Sequence, residues 1–111
     1  MDERRDLLER IDRLSARASH GSASARMLSE IEDVLAEGYI EALTREARSR
    51  RLGQRLEQLV DRIDDAEVAV EARRLAGQRR SLDRRNQDLR ARLAVMQTRF
   101  VQLGGGRTVG G

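Results

Sequence analysis

The stretch Leu59-Val60-Asp61-Arg62-Ile63-Asp64-Asp65-Ala66-Glu67-Val68 decides the fold. Upstream, Leu28, Ile31, Leu35, Gly38, Ala42, Arg45, Ser49, Leu52, Leu56, Leu59 and Ile63 recur in alternating steps of three and four. Downstream, Val68, Ala72, Leu75, Arg79, Leu82, Asn86, Leu89, Leu93, Met96, Phe100 and Leu103 do the same. This alternation is the heptad seam of a left-handed coiled coil. The two seams are out of phase. Carried forward, the first would fall on Ala66 and Val70, not on Val68 and Ala72. Coiled coils absorb slips of three or four residues, not two. The slip beside Asp64-Asp65 therefore reads as a reversal of the chain.

The arms on either side match in length. Helices are predicted over about 25–63 and 67–103, each roughly 55–60 Å at 1.5 Å per residue. Folding between Asp65 and Ala66 pairs residues whose numbers sum to 131. Ile31 then faces Phe100, Leu35 faces Met96, Gly38 faces Leu93 and Leu59 faces Ala72. Small opposes large repeatedly, as close packing requires. Arg45 and Asn86 share one polar layer, which is expected to fix the register. The arginines in the seam are expected to snorkel to water, and Asn86 to bond either Arg45 or, in a dimer, its symmetry mate.

A shorter helix is predicted over about 2–19, where Leu7, Ile11, Leu14 and Ala18 form one stripe. His20-Gly21 would end it, and Ser22 and Ser24 would cap the next helix. Apolar residues widen beyond the seam at one end of the hairpin: Met27, Val34, Tyr39, Ile40 and Leu43, with Val95 and Val101. The first helix is expected to cover that face. The fold class is thus all-α: an elongated antiparallel coiled-coil hairpin with a short N-terminal helix packed at its base. Residues 1–103 form one helical domain, and the glycine-rich 104–111 is a disordered tail.

Composition agrees with this reading. The 111 residues contain no Pro, so long helices run unbroken, and only two aromatics, so no broad core is filled. With no Cys and one His, disulfide scaffolds and the usual zinc, copper or haem sites are not expected. No nucleophilic triad or phosphate loop can be picked out, and a two-helix arm offers no recess to desolvate a carboxylate pair. An enzyme is not expected, nor a cofactor. No apolar run approaches the ~18 residues that suggest a membrane span. The mixed-charge start from Met1 to Asp6 does not read as a signal peptide, so a cytoplasmic protein is expected.

Charge is uneven. Residues 1–46 carry 7 Arg and 11 acids, whereas 68–111 carry 10 Arg and 3 acids. Arg73, Arg74, Arg79, Arg80, Arg84, Arg85, Arg90 and Arg92 form the densest run. These positions scatter around the helix with no stacking aromatics among them, so a solvated face is favoured over a nucleic-acid track. All 22 basic residues are Arg, and no structural reason accounts for that.

The expected role is a non-catalytic protein-interaction or assembly module that self-associates. The candidate interaction residues are Tyr39 near the base, Asp61, Asp64 and Asp65 at the tip, and Arg79, Arg80, Arg84 and Arg85 on the third helix. The tip reads D-x-x-D-x-A from Asp61 to Ala66. It resembles the acidic hairpin tip of DksA-type transcription factors, whose coiled coil enters the secondary channel of RNA polymerase. That resemblance implies Asp61 and Asp64 as tip acids. The cysteine zinc finger of that family is missing here. The alternative role is accordingly a nucleic-acid-associated or polymerase-binding regulator.

Overall fold

A computed structural model of the chain describes residues 3–18 and 24–104, the side chains of 3–5 excepted. Among the described residues there are three helices and no strand: α1 (Glu3–Ala18), α2 (Ala25–Val60) and α3 (Ala66–Gln102). The fold is all-α, with α2 and α3 antiparallel. Two compact units divide the chain. Unit 1 is Met1–Glu41 with Leu89–Gly111, and unit 2 is Ala42–Asp88.

Unit 1 contains α1 and one end of each long helix. Its seam is buried as the heptads require: Ile31 and Leu35 on α2, and Leu89, Leu93, Met96 and Phe100 on α3. Gly38 lets the two backbones close up, since a Cβ there would collide with the Leu93 side chain. The α1 stripe of Leu7, Ile11, Leu14 and Ala18 is buried in full. Burial of a Leu or Ile side chain contributes ~1.5–3 kcal/mol, so this stripe is the main attachment of α1. Ion pairs guide it. Arg10 meets Glu37 at 2.6 Å, Arg92 meets Asp12 at 2.6 Å, and Arg17 meets Glu30 at 3.7 Å. Arg99 donates to the Ser15 carbonyl at 3.3 Å.

The face that α1 covers is not the one expected. Val34 is buried, and lies with Leu14 along the crevice between α1 and α2. Ile40, Leu43, Val95 and Val101 remain exposed, Ile40 by 65%. Ion pairs accompany this docking: Glu37 and Glu30, on either side of Val34 along α2, meet Arg10 and Arg17 of α1.

Unit 2 is a two-helix pair. Leu59, Val68 and Leu75 form its apolar cluster, with Leu52, Leu56 and Ala72 packed against it. A polar stretch of seam follows. Arg79 Nε donates to Ser49 Oγ at 3.2 Å, its guanidinium lying over Gly53. Asn86 Nδ2 donates to Glu46 Oε2 at 2.9 Å, and Arg45 Nη1 to the Arg85 carbonyl at 3.2 Å. Arg45 does not snorkel: it is 4% exposed, because the Arg85 carbonyl lies within reach inside the pair. Asn86 bonds Glu46, and its buried Oδ1 has no hydrogen-bond partner among the described residues.

The helix ends also differ from expectation. The helix expected to reach residue 63 stops at Val60, and Ile63 is 48% exposed outside the seam. Tight bonds take over the chain there, from Arg62 N to Leu59 O, Ile63 N to Val60 O and Asp65 N to Arg62 O. The third helix starts one residue earlier than expected and ends at Gln102 rather than Leu103. Gly104 is placed: its φ of 93° and its bond to the Val101 carbonyl close α3 as a glycine C-cap. The rest of the expected tail, 105–111, lies outside the described residues, as do His20, Gly21 and Ser22. Ser24 caps α2 as expected, with its Oγ accepting the Met27 amide at 3.1 Å.

Candidate interaction surfaces

Tyr39 is half-buried on α2, and the Arg90 guanidinium stands 6.0 Å from its ring centroid. That is cation–π range. Both residues flank the Gly38–Leu93 layer. Ile40 beside Tyr39, and Val95 and Val101 on α3, are the exposed large apolar side chains of unit 1 among the described residues. Unit 2 has four: Leu43, Val60, Ile63 and Val70.

The three tip aspartates do different work. Asp61 and Asp64 are exposed within the turn. Asp65 is engaged: its Oδ1 accepts the Glu67 amide at 3.0 Å and its carbonyl accepts the Ala69 amide at 2.9 Å. It is the N-cap of α3, where a carboxylate also meets the positive end of the helix. A nearby pair is purely local. Arg74 grips Glu71 with bonds of 3.1 and 2.6 Å, and these hold the Glu71 carboxyl below the usual glutamate range.

The arginine run separates as well. Arg79 is spent inside unit 2 on Ser49. Arg80 and Arg84 are exposed on the outer surface of α3. Arg85 lines an open groove of about 370 Å³ together with Arg48, Leu52, Gly77, Gln78, Ser81 and Leu82. Sequence reasoning sets Arg48 near Arg85 as an unfavourable pair of flanking charges, but does not count it among the interaction residues. The signal that would have included it is the seven-residue row Val34, Glu41, Arg48, Arg55, one flank of the α2 seam.

Among the described residues, no group of three or more His, Cys, Asp or Glu side chains is placed to hold a metal ion. No helix there is long and apolar enough to cross a membrane. Comparison with known proteins finds no matching family model, no matching curated protein and no matching solved structure.

Proposed function

We propose that this chain is a non-catalytic coiled-coil interaction module that binds other proteins through the faces its own packing leaves open. One observation carries the reading. The seams are closed within the chain, yet seven large apolar side chains among the described residues stay 48–65% exposed. Scattered singly, such residues need no explanation; seven of them on α2, α3 and the turn between offer surface that a partner would bury. Tyr39 adds an aromatic anchor of the kind that dominates binding energy. Self-association through the same residues belongs to this reading.

The test is comparative. The full chain is used as bait in extracts of its own cells, and the captured partner is then measured against variants. Tyr39→Ala should weaken binding roughly tenfold or more, while Asp61→Asn and Asp64→Asn should bind as wild type. The reverse result, with binding lost only on the tip variants, would favour the polymerase-channel role. Steep loss of nonspecific DNA binding between low and moderate salt would favour the nucleic-acid role.

A further inference from the structure

The groove of unit 2 has a counterpart in unit 1, and the counterpart is filled. In unit 1, α1 lies against one flank of the α2–α3 pair. It meets Glu30, Val34 and Glu37 on α2, and Arg92 and Arg99 on α3. These residues belong to heptad rows. On α3 the row is Gln78, Arg85, Arg92, Arg99. On α2 the rows are Glu30, Glu37, Thr44, Arg51 and Val34, Glu41, Arg48, Arg55. The unit 2 members of the same rows include Arg48, Gln78 and Arg85, and these three line the open groove. The position that a helix occupies in unit 1 is vacant in unit 2.

The sign of the missing helix follows from the rows. Against α1 the flank is mixed, acidic on α2 and basic on α3, and α1 is mixed in return. In unit 2 the α2 side has turned basic, and the α3 side stays basic at Arg85. Among the described residues no carboxylate pairs with Arg48 or Arg85. The floor is apolar, with Leu82 buried and Leu52 half-buried. A bare Gly77 on the α3 side adds no side chain to the space. An apolar floor between arginine walls fits a helix with one apolar stripe and acids on both sides of it.

We infer that the Arg48–Arg85 groove of unit 2 docks an acidic amphipathic helix of a partner protein, as a third strand of the coiled coil. This rests on the interaction-module reading and names the chemistry of one partner. It uses a different face from Tyr39. A phosphate backbone would also be drawn to arginine, but it would leave Leu52 and Leu82 unused.

The test titrates the intact protein into a fluorescent synthetic peptide of about three heptads, with Leu at a and d and Glu at e and g. The same peptide with Lys at e and g, and a short DNA duplex, are run beside it. The Glu peptide should bind, the Lys peptide should not, and DNA should compete poorly. Amide shifts on binding should centre on Leu52, Gln78 and Ser81. Arg48→Glu with Arg85→Glu should weaken binding by roughly tenfold or more with the melting temperature unchanged. Arg48→Gln with Arg85→Gln, which adds no new charge, should fall between. Equal binding of the Glu and Lys peptides, no binding of either, or shifts confined to α1 would overturn the assignment. So would tighter, arginine-dependent binding of DNA. If the peptide fails while a captured partner still depends on Tyr39, the groove assignment falls and the module reading stands.

Discussion

Gly38 and Gly77 are both helical glycines, and their surroundings give them opposite roles. Replacing either with Ala gains up to ~1 kcal/mol of helix propensity. At Gly38 the new methyl would strike the Leu93 side chain, which is fully buried and has nowhere to go. Overpacking of this kind costs ~1–3 kcal/mol, so Gly38→Ala should lower the unfolding free energy. At Gly77 the nearest atom to the new methyl is the flexible end of Arg80, 4.0 Å away. Gly77→Ala should therefore raise the unfolding free energy by ~0.5–1 kcal/mol. Chemical denaturation of both variants checks the pair, and a stabilised Gly38→Ala would mean that the two backbones do not close there. The Gly38–Leu93 layer was legible in the sequence, because small-faces-large is a property of residue size and register alone. The burial of Arg45 was not. It depends on a carbonyl of the facing helix, and backbone acceptors leave no trace in a residue pattern.

At the scale of the elements, the ends of α2 and α3 rest on the Asp-rich turn. The resemblance picked out Asp61 and Asp64, yet all three acids stood as interaction candidates, because composition gives each the same charge. Only the turn bonds separate them. Asp65→Ala removes the N-cap of α3 and should cost ~0.5–2 kcal/mol. Asp64→Ala changes an exposed residue and should stay within ~0.5 kcal/mol of wild type. Equal losses from the two, measured by thermal melting, would show that the cap does not form in solution. The stripe of α1 was legible from its spacing, and all four of its residues are buried. Its docking flank was misjudged: apolar content was weighed over the whole widened face, and Val34 is covered while Ile40, Val95 and Val101 are not. Ion pairs at a surface add little energy, about 0–1 kcal/mol each, so Arg10–Glu37 and Arg17–Glu30 orient α1 more than they hold it. The groove of unit 2 was half legible. Laying α3 against α2 already sets Arg48 near Arg85 as an unfavourable pair, but the open space between them, with Leu52 and Leu82 below, appears only in the fold.

For the molecule as a whole, the question is whether the chain reverses on itself or pairs with another copy. Two chains could share the same layers only if the turn opened and the two-residue slip between the seams were absorbed. The turn argues for reversal within one chain. Its three bonds between Leu59 and Asp65, each spanning three residues, and the bond from the Glu67 amide to the Asp65 side chain are local, and a continuous α-helix would make none of them. A continuous helix would also carry the first seam onto Ala66 and Val70, and Val70 is instead 62% exposed while Val68 is buried. Spin labels at Leu28 and Leu103, both in unit 1, read the difference. Within a reversed chain they lie side by side, whereas along one continuous helix they would be over ~100 Å apart at 1.5 Å per residue. The short distance should persist when labelled protein is diluted into a large excess of unlabelled protein, because the contact is within the chain. A short distance that disappears on dilution would mean that the two labels belong to different copies. The turn would then open into a longer helix, the layers would be shared between chains, and the hairpin would be a dimer of straight helices.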